Sequence, residues 1–213
     1  MSKKNKKEEE IVFKIITIGD SNVGKTSIIR RYLYNVFESS NLATIGVAFS
    51  FKEVTLENGQ IIKLRLVDTA GQEKFKSVTK SYYKNTDGVL FVFDYNNPLT
   101  FENISEWIQS FEENHNGKEN IPRFLLGNKS DLEHKVTDEM INNFLNQHKD
   151  KYKFESTSAL ENTNIDKIFQ ELAEEIYKIY LTSSKKEQKK ITINKYKKEK
   201  SRRNNCICSM DSG

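Results

Sequence analysis

Three short segments hold glycines and polar side chains at separations suited to gripping phosphate and a purine. The first, Gly19-Asp-Ser-Asn-Val-Gly24-Lys25-Thr26, matches G-x-x-x-x-G-K-[ST]. Its glycines let the backbone curl, so the N–H groups of Ser21, Asn22, Val23, Gly24, Lys25, Thr26 and Ser27 can converge on phosphate oxygens at a helix start. Lys25 is then expected to reach the β and γ phosphates, and the Thr26 hydroxyl to ligate Mg²⁺. A Gly-rich turn without a ligand is the bland alternative.

The second segment is Asp68-Thr-Ala-Gly71-Gln72-Glu73, directly after an apolar run. A carboxylate at a strand end beside a phosphate loop can hold Mg²⁺ through water, Gly71 can offer its N–H to a γ-phosphate, and Gln72 can orient an attacking water. D-x-x-G alone is a weak signal; behind a phosphate loop it gains force. The third is Asn128-Lys129-Ser130-Asp131. A carboxylate accepts two hydrogen bonds from a base edge presenting N–H and NH₂, which guanine has and adenine lacks, so Asp131 selects guanine. Asn128 is expected to brace the loop and the Lys129 stem to lie along the base. Alone, N-K-x-D is also compatible with a loop and an N-cap Asp.

These segments need a scaffold, and the apolar pattern supplies one. Residues 11 to 18 form a β-branched run read as a buried strand, and Ile28, Ile29, Tyr32, Leu33 and Val36 recur at helical spacing after the first loop. Runs at 47 to 56 and 61 to 67 flank Asn58-Gly59, a hairpin signal, so this pair is expected to run antiparallel. Then come a strand at 88 to 94, a helix carrying Phe101, Ile104, Trp107, Ile108 and Phe111, a strand at 123 to 127, a helix with Met140, Ile141, Phe144 and Leu145, a strand near 152 to 156, and a last helix bearing Ile165 to Ile179 on one face. Such alternation predicts an α/β fold: a six-stranded, mostly parallel sheet with one antiparallel strand and helices on both faces. The aromatic and aliphatic stripes read as core.

The 213 residues fit one domain with tails: a flexible segment at 1 to 10, the nucleotide-binding domain at 11 to 180, and a flexible basic tail at 181 to 213. Net charge is +4, yet residues 183 to 205 carry ten Lys/Arg against two Glu, which leaves 11 to 182 mildly acidic. Nucleic-acid binding by the body is disfavoured, because phosphate neutralisation needs a basic face on the fold. The tail reads either as a solvated linker or as a segment drawn to anionic lipid. No apolar run reaches membrane-spanning length, and the start lacks a signal-peptide stretch. The two cysteines, Cys206 and Cys208, exclude a disulfide framework within the domain. His115, His134 and His148 stand singly in polar stretches and read as surface side chains.

In this order the three motifs resemble those of the small GTP-binding proteins, and Asp68 to Glu73, Ser81-Tyr82-Tyr83-Lys84 and Thr44-Ile45-Gly46-Val47-Ala48-Phe49 resemble the Rab family over residues 11 to about 180. The resemblance implies a slow GTPase switch that binds GTP/GDP and Mg²⁺ and acts in vesicle trafficking. Thr44 becomes the first-switch threonine, ligating Mg²⁺ and contacting the γ-phosphate; with Lys25 and Gln72 it completes the catalytic set. Phe37 falls where the family covers the guanine face, and Ser158 and Ala159 align with the loop that meets the guanine carbonyl. Exchange factors, activating proteins and effectors are expected at the switch loops around Phe49 and Tyr82. A non-catalytic GTP-dependent scaffold or soluble regulator is the rival reading.

The chain also departs from the family. Leu160 stands where most relatives have Lys, Val67 replaces a Trp, and Ala48 replaces an Asp, so the aromatic triad reads Phe49, Val67, Tyr82 and partner choice is expected to be atypical. Five residues follow Cys208, which a C-a-a-X box does not allow. Cys206 and Cys208 are candidates for prenylation, with palmitoylation or free thiols as alternatives. A monomer is expected, on the cytoplasmic face of an intracellular or plasma membrane with a cytosolic pool.

Overall fold

A computed structural model describes residues 10–38, 47–69, 81–117, 120–149 and 151–183. Thr44, Gly71, Gln72, Cys206 and Cys208 lie outside these residues. Six strands form one sheet in the order β2-β3-β1-β4-β5-β6. They are β1 (Val12–Ile18), β2 (Val47–Thr55), β3 (Ile61–Thr69), β4 (Gly88–Asp94), β5 (Arg123–Asn128) and β6 (Lys153–Ser156). Among the strands of the described residues, β2 and β3 pair antiparallel, with Phe49 opposite Val67, and the other strand pairs are parallel. β4 and β5 are buried at every position, as parallel strands covered on both faces must be, which is why they read as unbroken apolar runs.

The helices are α1 (Lys25–Tyr34), α2 (Pro98–Glu102), α3 (Ile104–Asn114), α4 (Asp138–Gln147) and α5, described from 165 to 183. Alternation along the strands assigns them to two layers. On one face Ile16, Ile18, Phe91, Phe93 and Leu125 pack with Trp107, Ile108 and Phe111 of α3 and with Ile141 and Phe144 of α4. Edge-to-face pairs such as Phe91–Phe111 and Phe93–Phe101, with centroids 5.9 and 5.0 Å apart, order this layer. On the other face the Tyr32 ring of α1 stacks on Phe169 at 3.9 Å. Leu172 and Ile176 of α5 come so close to Gly88 that a Cβ there would lie 2.9 Å from both. From Tyr177 onward the chain is a separate unit, in which the Tyr177 and Tyr180 rings stack and Thr182 Oγ1 donates to the Lys178 carbonyl.

The antiparallel hairpin expected at Asn58-Gly59 forms: Gly59 N–H donates to the Leu56 carbonyl, Leu56 N–H to that of Gln60, and Gly59 takes a positive φ of 80°. This is a three-residue connection closed by a left-handed glycine. The single helix expected through Phe101 and Phe111 is two helices, α2 and α3, separated at Asn103. Apolar period carries across such a break because Phe101 and Ile104 serve one core cluster, so periodicity alone does not reveal it. No helix is long and apolar enough to cross a membrane among the described residues.

Because the parallel strands point one way, the loops after β1, β4, β5 and β6 and the end of β3 open at one edge of the sheet, where open α/β sheets bind ligands.

Candidate functional site

The loop leaving β1 is built around two glycines at positive φ. Gly19 has φ of 150° and a Cβ on it would lie 2.2 Å from the Val92 carbonyl oxygen of β4. Gly24, the N-cap of α1, has φ of 97°, and its Cβ would lie 2.1 Å from Asn128 Nδ2. Between them Asn22 takes a left-handed φ of 63°, and Val23 is fully buried as the loop's anchor in the core. Gly24 makes no side-chain cap bond at the start of α1, and a helix N-terminus reached through a glycine turn is where backbone N–H groups converge on an anion.

Lys25 is 5% exposed, and its Nζ donates to the carbonyls of Gly19 at 2.9 Å and Asp20 at 2.7 Å. Burial lowers its pKa to about 8, partly offset by the carboxylates of Asp68 and Asp20. A phosphate brought into the loop supplies the counter-charge that burial withholds. Thr26 Oγ1 donates to Asp68 Oδ2 at 2.8 Å. Burial also raises the Asp68 pKa, while the Thr26 bond and Lys25 pull it down. Its second oxygen, Oδ1, is buried without a partner among the described residues. A half-buried hydroxyl and a buried carboxylate oxygen with an open lone pair form an all-oxygen donor pair suited to a hard dication, which takes its remaining ligands from water and phosphate. No cluster of three or more acidic, His or Cys side chains competes for it among the described residues.

Asn128 joins this loop to the base segment. Its Nδ2 donates to the Val23 carbonyl at 2.8 Å, and its Oδ1 accepts from Ala159 N–H at 3.3 Å and Thr157 Oγ1 at 3.4 Å. Asp131 is half-buried and accepts from Ser158 Oγ at 2.5 Å, and Ser158 Oγ also accepts from Glu161 N–H at 3.0 Å. Lys129, held at φ of 63°, donates from Nζ to Asp94 Oδ2 at 2.6 Å. Ser21 and Ser27 flank the phosphate loop and are half-buried, as is Phe37 beyond α1. The fold therefore brings Gly24, Lys25, Thr26, Asp68, Asn128, Asp131, Ser158 and Ala159 to one edge of the sheet. Thr44, Gly71 and Gln72 are outside the described residues.

Several neighbours escaped the sequence reading. Asp94, the Lys129 partner, ends a wholly apolar strand at the ligand-binding edge, a position that could have singled it out. Asp20 accepts from Asn103 Nδ2 at 2.7 Å and Trp107 Nε1 at 2.6 Å, which ties the phosphate loop to the α2 and α3 junction. Nothing local in the sequence signals that pair, or the contacts of Arg31 with the base loop. Of the three histidines read as surface side chains, His134 is exposed and stacks on Tyr95 at 3.9 Å, whereas His115 and His148 are half-buried against Phe111 and Phe144. Val67 is fully buried, so of the expected triad it is Phe49 and Tyr82 that meet, with rings 5.3 Å apart and the Arg65 guanidinium 4.5 Å from the Phe49 ring centre. Valine, smaller than a tryptophan, fills the sheet beneath this pair and adds nothing to its exposed face.

Comparison with known proteins matches the Ras family over residues 14–178. The chain is 42% identical over 173 residues to the Ras-related protein Rab-10 of Diplobatis ommata, covering 80% of this chain and 84% of that one. It is 38% identical over 181 residues to the Ras-related protein YPTC6 of Chlamydomonas reinhardtii, with 84% and 82% covered. To the Ras-related protein Rab-13 of Rattus norvegicus it is 41% identical over 167 residues, with 78% and 80% covered. Members of this family are regulated by exchange factors, activating proteins and effectors. The chain belongs to the Ras family, as a Rab-like small GTPase that binds GTP and GDP with Mg²⁺ and hydrolyses GTP.

Proposed function

We propose that this GTPase is a timed switch for membrane trafficking, in which Lys25, Thr44 and Gln72 form the catalytic set and Thr26, Thr44 and Asp68 hold Mg²⁺. The bound dication would neutralise charge on the phosphates. The phosphate loop from Ser21 to Ser27 and Gly71 hold the phosphates, while Phe37, Asn128, Lys129, Asp131, Ser158 and Ala159 hold the guanine. The observation that carries this reading is the 2.8 Å bond from Asn128 to the Val23 carbonyl, which locks a phosphate cradle to a carboxylate suited to guanine. With γ-phosphate bound, Thr44 and Gly71 order the loops at about 36 to 48 and 69 to 82; hydrolysis releases them.

Turnover without an activator is slow, because neither loop contains an arginine that could serve as a finger. For Ras, a relative, intrinsic hydrolysis runs on the order of 10⁻⁴ s⁻¹. Single-turnover phosphate release should be comparably slow here, and slower by about tenfold in Gln72→Leu, since the leucine cannot orient water. An unchanged rate in that variant would support the scaffold reading instead.

Effectors and regulators meet the Phe49 and Tyr82 face of a monomer, and anchoring combines lipid on Cys206 and Cys208 with the basic tail. One lipid chain binds only marginally, so two signals are needed for stable residence on the cytoplasmic face of an intracellular or plasma membrane. Cys206→Ser with Cys208→Ser should shift the protein to the soluble fraction. Neutralising Lys195, Lys197, Lys198 and Lys200 should weaken binding in a salt-dependent way without abolishing it. A double serine variant that still pellets with membranes at high salt would point to a protein receptor.

A further inference from the structure

The guanidinium of Arg31, on α1, spans two parts of the chain that are 128 residues apart. Its Nε donates to the Ala159 carbonyl at 2.8 Å, and one terminal nitrogen donates to the Leu160 carbonyl at 2.9 Å. The other terminal nitrogen donates to the carbonyl and the side-chain Oδ1 of Asn35, at 2.9 and 3.2 Å. Asn35 is the C-cap of α1, where its left-handed φ of 54° and its N–H bond to the Arg31 carbonyl end the helix. The fork is therefore held from behind and aimed at the loop after β6.

We propose that Arg31 is a positioning residue for guanine recognition: it sets the peptide planes that follow Ala159, while Asn128 sets the plane that precedes it. Asn128 Oδ1 takes the Ala159 N–H, and Arg31 takes the carbonyls of Ala159 and Leu160, so both backbone torsions of Ala159 are constrained. A planar, permanently charged fork does this in a way a point charge cannot. Arg31 also rides on the helix that begins at Gly24, so the phosphate cradle and the loop facing the base carbonyl are registered by one rigid element. The Leu160 side chain is 51% exposed, and this loop is held mainly through its backbone.

The inference rests on the reading of Ser158 and Ala159 as the loop that meets the guanine carbonyl, and the test separates the two. The full-length protein with Mg²⁺ is titrated with GDP, inosine diphosphate and 2-aminopurine riboside diphosphate, which lacks the C6 oxygen, by displacement of a fluorescent GDP. Arg31→Ala should weaken GDP about tenfold, the size expected when charge-assisted bonds to a loop are lost. It should weaken 2-aminopurine riboside diphosphate less than about twofold, while the ratio of GDP to inosine diphosphate, set by Asp131, stays constant. Arg31→Lys keeps the charge and one bond and should fall between; it carries the test if the alanine variant melts below assay temperature. Equal weakening of all three nucleotides, or none, would overturn the role of Arg31. Wild type that binds GDP and 2-aminopurine riboside diphosphate alike would overturn the base-loop reading and the proposal with it.

Discussion

Asp131→Asn is expected to cost GTP affinity roughly 2 to 4 kcal/mol, or about 30- to 700-fold. The substitution replaces one acceptor oxygen with an NH₂ group that faces the N–H donors of guanine, so two donors oppose each other in a half-buried site. Oδ1 can still take the Ser158 hydroxyl, which holds it at 2.5 Å in wild type, so the loop should keep its shape and the loss should fall on the base. Xanthosine triphosphate presents a carbonyl where guanine presents NH₂, and its affinity should rise in the variant. Competition among GTP, ATP and xanthosine triphosphate provides the measurement. ATP bound as tightly as GTP by wild type would mean that Asp131 does not read the base.

The second large effect separates two glycines of one loop. Gly19→Ala sets a Cβ 2.2 Å from a backbone carbonyl in β4, a strand buried at every position. Neither β1 nor β4 can move without disturbing the central sheet. Overpacking and strained backbone together should cost about 3 kcal/mol or more of folding stability. Gly24→Ala also meets a positive φ, but its clash is with Nδ2 of Asn128. That side chain can swing away, and in doing so it gives up its bond to Val23. Thermal unfolding should thus be lowered most by Gly19→Ala, whereas nucleotide affinity should fall at least tenfold in Gly24→Ala while its fold survives. Wild-type GDP affinity in Gly24→Ala would show that Asn128 does not tie cradle to base loop.

Much of this protein is legible in residue order because its governing constraints are local. A glycine at positive φ before Lys25, a β-branched run ahead of it and an Asn-Gly between two alternating runs report backbone preferences that act within a few residues. The six strands, their pairing class and the positions of the three motifs follow from such preferences. Packing decided the rest. The break at Asn103 is hidden by a continuous apolar stripe. Val67 is swallowed by the sheet, so of the expected aromatic triad Phe49 and Tyr82 meet without it. Lys129 turns to Asp94, and Arg31 crosses to Ala159 and Leu160, because parallel strand order brings the ends of β4, β5 and β6 together beside α1. No periodicity encodes a contact between residues more than a hundred positions apart; it exists only once the sheet has put both chain segments at the same edge.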